Sequence, residues 1–154
     1  MTPSTIRRFC LECVLGAATL SFALAAWAAG PLNLDSHGVA IHGHDPVAYF
    51  VDGKPVKGRS DLSASANGAT YWFASEKNLQ AFKAEPAKYE PQYGGYCAYG
   101  VAQGFKPGID PTAFRVVDGK LYLNLSPAVQ GRWLADVPGH ISSANRNWTE
   151  LKDK

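Results

Sequence analysis

The sequence has little cysteine, and most of it lies close to the N-terminus. Of the three cysteines, Cys10 and Cys13 fall within the first 13 residues, and only Cys97 remains in the rest of the chain. One cysteine cannot form a disulfide within its own chain, so a disulfide framework in the body of the protein is excluded. A zinc site built from several thiolates is excluded for the same reason.

Net charge and recognisable catalytic motifs are also scarce. The 15 Lys and Arg against 13 Asp and Glu leave a formal net charge of +2 on 154 residues, so nucleic acid is not an expected partner. The chain carries no nucleophile elbow, phosphate loop, haem-attachment motif or H-E-x-x-H helix, and we therefore expect no enzyme activity. The 46% hydrophobic content indicates a globular protein, and 15 Gly with 10 Pro favour many turns and short elements.

The first thirty residues have the layout of a secretory signal. Arg7 and Arg8 precede an uncharged run over residues 13–30, which ends in the small residues around Ala26-Trp27-Ala28. This order predicts a signal peptide over residues 1–29, cleaved near Ala28-Ala29, and a periplasmic or secreted protein. The alternative is an uncleaved anchor, which would be the protein's one contact with a membrane. The export route stays open, since the Arg pair only partly fits a twin-arginine motif.

The pattern of apolar residues, turn residues and caps predicts a small single α+β domain with short antiparallel hairpins and three to four short helices. Asp-Gly pairs predict two hairpins, and Ser75 and Ser126 are expected to cap helices. The predicted elements are a hairpin over 47–58, a strand over 70–73, a helix over 76–84, a short turn at 86–89, a hairpin over 114–123, a helix over 127–136 and a helix over 141–151.

The segment 93–104 (YGGYCAYGVAQG) is unusually rich in glycine and tyrosine. If it is helical, one face carries a buried stripe, and its small residues leave room for another backbone. That face would be formed by Tyr93, Tyr96, Cys97, Gly100 and Val101.

Five segments are distinctive: DPVAYF at 45–50, YWFASE at 71–76, FKAEPAKY at 82–89, GGYCAYG at 94–100 and VDGKLYLN at 117–124. Together they resemble an exported bacterial YHS-domain protein, with the similarity running over residues 38–151. The family implies a small α+β module that is related to metal-binding treble-clef modules and occurs attached to copper and other heavy-metal transporters.

The metal-binding relatives carry cysteines in a D-P-V-C-G segment and in an F-C-S-x-x-C segment. In this sequence the corresponding residues are Ala48, Ala74 and Asn78. Because none of these side chains offers a thiolate, the resemblance implies the fold without the familiar metal site.

Cys97, His42 and His44 are the candidate metal ligands that remain. A thiolate is a soft-metal ligand, and two imidazoles at i and i+2 in an extended segment would point to one side, so the three could form a copper site. For Cys97, two alternatives stay open: packing as a small buried hydrophobe, and redox or intermolecular disulfide chemistry. For the histidines, the alternative is an ordinary polar loop.

Tyrosines form a second candidate site. Tyr93, Tyr96, Tyr99 and Tyr49 could line an aromatic pocket, although tyrosines at such positions usually belong to the core with their hydroxyls at its edge. Asp45 precedes a proline, and we interpret it as a turn initiator.

The sequence thus favours an exported, non-enzymatic binding or accessory domain, with copper or another soft metal as the ligand and a metal-handling protein as the partner. Two alternatives stay open. One is a structural interaction domain that forms a homodimer through its glycine-rich segment, and the other is a redox-active thiol protein.

Overall fold

The structure is a computed structural model that describes residues 30–154. The predicted signal peptide lies outside the described residues. Two antiparallel β-hairpins are surrounded by short helices, which confirms the predicted α+β class. The elements are α1 (Ala48–Val51), β1 (Arg59–Ala66), β2 (Ala69–Phe73), α2 (Glu76–Ala84), α3 (Pro86–Tyr89), α4 (Ala98–Ala102), β3 (Asp110–Val117), β4 (Lys120–Asn124), α5 (Pro127–Leu134) and α6 (Val137–Leu151). No helix within residues 30–154 is both long and apolar enough to span a bilayer.

The first hairpin turns at Asn67-Gly68, and not at Asp52-Gly53 as the sequence predicted. Ala66 pairs with Ala69, and both intervening residues have positive φ (50° and 86°), as a two-residue type I′ turn requires. The predicted hairpin over 47–58 is wrong because its first arm forms helix α1. The Asp45 carboxylate accepts hydrogen bonds from the N–H groups of Val47 and Ala48, which favours a helical turn at this point.

The second hairpin confirms the prediction over 114–123. Strands β3 and β4 pair antiparallel, with Val117 opposite Lys120 and a positive φ at both Asp118 and Gly119. An Asp-Gly pair suits this turn because both central residues must adopt the left-handed conformation.

Side-chain caps position the longer helices. The Ser75 hydroxyl accepts from the N–H of Asn78, and the Ser126 hydroxyl accepts from the N–H of Val129, so α2 and α5 begin where the sequence predicted. Helix α6 begins earlier than predicted, at Val137, because the Asp136 carboxylate caps the N–H of Gly139.

Strand β4 separates two hydrophobic clusters. Leu121 and Leu123 face the cluster that covers the hairpins and α2, while Tyr122 faces the cluster between α4, α5 and α6. Alternate side chains of a strand point to opposite faces, so a strand buried on both sides serves two cores.

The segment 93–104 is not one helix. Tyr93 and Gly94 have positive φ (55° and 60°) within a short 3₁₀ turn, and helix α4 begins only at Ala98. The predicted five-residue helical face is therefore wrong, although Gly100 and Val101 do lie buried on α4.

Candidate functional site

His42 and His44 lie in a left-handed turn and not in an extended segment. Ile41, His42 and Gly43 all have positive φ, so the spacing argument that placed both imidazoles on one side does not apply. His42 is exposed, whereas His44 is half-buried, with Nδ1 3.1 Å from the carbonyl oxygen of Ile41. Partial burial lowers the pKa of His44, because the charged imidazolium loses hydration.

Cys97 is buried, with 1% of the residue exposed, and its sulfur is part of a hydrogen-bond network. It accepts from the N–H of Gly100 at 3.4 Å and from the N–H of Leu125 at 3.2 Å, and the thiol donates to Oδ1 of Asn124 at 3.7 Å. The sulfur therefore caps helix α4 and ties it to the end of β4. A redox thiol needs exposure, which this sulfur lacks.

The structure does not assemble the three predicted ligands into one site. Among residues 30–154, no three or more His, Cys, Asp and Glu side chains are grouped so that they could hold a metal ion. Cys97 is buried in the first hydrophobic cluster, whereas His42 faces solvent. A shared ion requires donor atoms about 2.0–2.3 Å from it, so the predicted copper site made of Cys97, His42 and His44 is not formed.

The four predicted pocket tyrosines are divided between the two hydrophobic clusters. Tyr49 belongs to the first, Tyr93 and Tyr96 belong to the second, and Tyr99 packs against both. The hydroxyl of Tyr49 donates to the carbonyl oxygen of Pro111, and that of Tyr93 donates to Oδ1 of Asn145. Burial raises the pKa of both phenols. Tyr49, Tyr93 and Tyr96 are thus core residues whose hydroxyls are hydrogen-bonded, and Tyr99 is partly buried. The four side chains do not converge on a common pocket.

The two glycines before Tyr96 receive the N-terminal end of the described chain. The N–H of Asn33 donates to the carbonyl oxygen of Gly94, and its side-chain amide donates to that of Gly95. A Cβ on Gly94 would lie 2.0 Å from the carbonyl oxygen of Pro31. The close backbone approach that the glycines predicted is therefore made by this chain's own residues 31–33.

Asp45 organises a site that the sequence analysis missed. The residue is fully buried, and its Oδ1 accepts from the N–H groups of Val47 (2.8 Å) and Ala48 (3.3 Å). Its Oδ2 accepts from the N–H of Ala74 and from Nδ2 of Asn78, both at 2.8 Å. The carboxylate thus links the turn before α1 to the turn between β2 and α2. The Asp-Pro order in the sequence predicted only a local turn at Asp45, and not its contacts with Ala74 and Asn78.

A pocket of about 420 Å³ opens beside Asn78. Its wall is largely aliphatic, with polar groups among it, and Val51 is 61% exposed on it. The lining residues are Val47, Val51, Asp52, Ala74, Ser75, Lys77, Asn78 and Ala81. Its volume is within the range of small-molecule or side-chain binding pockets.

Comparison with known families identifies this region. Residues 47–93 match the family model of the YHS domain. This part of the chain is therefore similar to a YHS domain. The match confirms the resemblance to the YHS domain over residues 47–93, which include α1, the first hairpin, α2 and α3. Comparisons with curated proteins and with solved structures gave no match.

The YHS domain is associated with metal handling, including that of copper. The residues of this chain do not fit a metal at the cysteine positions of the metal-binding relatives. Ala48 and Ala74 have no donor side chain, and Asn78 uses its amide to donate to Asp45. Soft metals bind thiolate or imidazole ligands, and neither is present at these three positions.

Proposed function

We propose that the protein is an exported, non-enzymatic accessory domain in the handling of copper or another soft metal. We further propose that it acts by binding a metal-handling partner at the pocket beside Asn78, and not by chelating the ion with Cys97, His42 and His44. The export proposal rests on the signal-like residues 1–29, and the metal-handling proposal rests on the YHS match.

The position of the pocket is the observation that carries this proposal. Ala74 and Asn78, which stand where metal-binding relatives have cysteines, are part of its wall. Small side chains here leave a concave, mostly aliphatic surface, next to Lys77 and Asp52. We expect such a surface to accept an apolar side chain of the partner, with the charged rim orienting it.

Copper tolerance in a strain that lacks the gene tests the proposal. We expect the wild-type gene to restore tolerance, and the His42→Ala/His44→Ala variant to restore it equally. Val51→Arg should fail, because the new side chain projects a charge into the pocket from a residue that is 61% exposed. Phe105→Arg is the matched control, since Phe105 is 67% exposed and lies outside the pocket lining.

Full complementation by Val51→Arg would contradict binding at the pocket. Unchanged copper tolerance in the deletion strain would contradict the role in metal handling.

Titration of Cu(I) and Cu(II) into the mature protein tests the chelation alternative. We expect no binding tighter than micromolar, because the described residues group no three ligands. Submicromolar binding that is lost in Cys97→Ser or in His42→Ala/His44→Ala would replace the proposed docking role with chelation by this chain.

A further inference from the structure

We infer that the hydrogen-bond network of Asp45 and Asn78 is the structural cross-link of this domain, in the place where the metal-binding relatives hold an ion. The inference concerns the chain's folding. It does not depend on the proposed partner, so either proposal can fail without the other.

The three positions that correspond to the cysteines of the relatives converge on one carboxylate. The N–H of Ala48, the N–H of Ala74 and the side-chain amide of Asn78 all donate to Asp45. Ala74 and Asn78 are 29 and 33 residues away from Asp45 along the chain. A metal ion held by side chains at these positions would join the same two turns, so the network makes the same long-range connection.

Asn78 closes the network. Of the three residues, it is the one whose side chain makes a hydrogen bond to Asp45, and the residue is 8% exposed. A neutral amide donates a hydrogen bond to the carboxylate without bringing a second charge into the interior. A carboxylate in its place would repel Asp45, and an aliphatic residue would leave the carboxylate short of one donor.

The fully buried carboxylate depends on its donors. Asp45 accepts four hydrogen bonds, two at each oxygen, and a buried charge is costly unless such bonds compensate for its lost hydration. Removing a single donor therefore costs more than the bond itself contributes, because the acceptor is left buried and unsatisfied.

A double-mutant cycle tests the inference. Asp45→Asn places an amide group against the donors of Ala74 and Asn78, and Asn78→Asp places two carboxylates together. We expect each single variant to raise the unfolding equilibrium constant by roughly tenfold to a hundredfold, measured by urea denaturation. The combined Asp45→Asn/Asn78→Asp variant restores one amide-to-carboxylate bond, so it should be more stable than the product of the two single effects predicts.

Asp52→Asn is the matched control, because Asp52 is an exposed carboxylate that lines the pocket and lies outside the network. We expect it to leave the unfolding equilibrium within about threefold of the wild type. Asn78→Ala is the milder variant if Asp45→Asn does not fold. The inference is overturned if Asn78→Ala is as stable as Asp52→Asn, or if the double variant shows no coupling.

A second measurement uses the wild-type chain alone. We expect its thermal midpoint to stay unchanged when EDTA is added and when Zn²⁺ or Cu²⁺ is added in small excess. A midpoint lowered by the chelator, or raised by a metal and returned by the chelator, would mean that an ion and not the network provides the cross-link.

Discussion

At the scale of single residues, buried hydrogen-bond acceptors connect distant parts of this domain. Asp45, Cys97 and Asn124 are each at most 1% exposed, and each accepts backbone N–H groups from another part of the chain. Buried acceptors of this kind fix the relative positions of turns that hydrophobic contacts alone would leave free to shift.

Substitutions at Cys97 distinguish a capping acceptor from a packed hydrophobe. Cys97→Ser retains an acceptor for the N–H groups of Gly100 and Leu125, whereas Cys97→Ala and Cys97→Val leave both donors unsatisfied. We expect Ala and Val to lower the free energy of unfolding by about 1–3 kcal/mol, and Ser to be the best tolerated of the three. Urea denaturation of the three variants gives the order. If Val were the most stable and Ser the least, packing and not capping would be the role of this sulfur.

At the scale of elements, left-handed turns determine where the chain reverses and where segments meet. Both hairpins use two-residue turns with positive φ, and the 3₁₀ turn at Tyr93–Gly94 reverses the chain just before α4. The same turn leaves the carbonyl oxygens of Gly94 and Gly95 free to accept from Asn33.

Replacing Gly94 by alanine tests this docking of the N-terminal segment. The new Cβ would lie 2.0 Å from the carbonyl oxygen of Pro31, so residues 31–33 have to move. We expect a loss of about 2–4 kcal/mol in the free energy of unfolding. The backbone amide of Asn33 should also exchange its hydrogen faster in Gly94→Ala than in the wild type.

Gly119→Ala is the matched control for Gly94→Ala. Gly119 also has a positive φ, but a Cβ there meets nothing within 4 Å. The variant carries only the backbone cost of about 1–2 kcal/mol and should leave the exchange of Asn33 unchanged. Equal effects of the two substitutions would show that the contact with Pro31 contributes nothing.

At the scale of the whole molecule, two hydrophobic cores share strand β4. The described chain has few ion pairs, and those between Arg59 and Asp61 and between Lys154 and Glu150 lie on the surface. Exposed pairs contribute about 0–1 kcal/mol each, so the stability should depend little on salt.

The stability near neutral pH should depend on His44. The pKa of His44 in the folded state lies below that of the free side chain, mainly because burial removes water from the charged imidazolium. The nearby charges of Lys57 and His42 also lower this pKa. The carboxylate of Asp110 lies within electrostatic range of both His44 and His42. Protonation therefore favours the unfolded chain, and stability should fall as the pH decreases below about 6.5 towards the folded-state pKa.

Urea denaturation of the wild type and of His44→Asn between pH 7.5 and pH 5 measures this dependence. We expect a flatter profile for His44→Asn than for the wild type. His37→Asn is the control, because His37 is exposed and is not among the groups that act on His44. A wild-type slope that persists in His44→Asn would assign the pH dependence to another group.

The sequence alone determined the parts of this protein that depend on neighbouring residues. Ser75 and Ser126 predicted the starts of α2 and α5, and Asp118-Gly119 predicted the second hairpin, because caps and tight turns involve residues two to four apart. It failed at 47–58, where Asp52-Gly53 resembles a hairpin turn but the buried Asp45 favours helix α1. The lack of thiolates at Ala48, Ala74 and Asn78 also followed from the sequence.

The tertiary structure decided which side chains meet. Asp45 contacts Asn78 across 33 residues, and the sulfur of Cys97 accepts from Leu125 across 28. Among residues 30–154 it also did not group His42, His44 and Cys97 into one site. Contacts between residues far apart in sequence depend on how the elements pack, and local residue patterns carry no information about that packing.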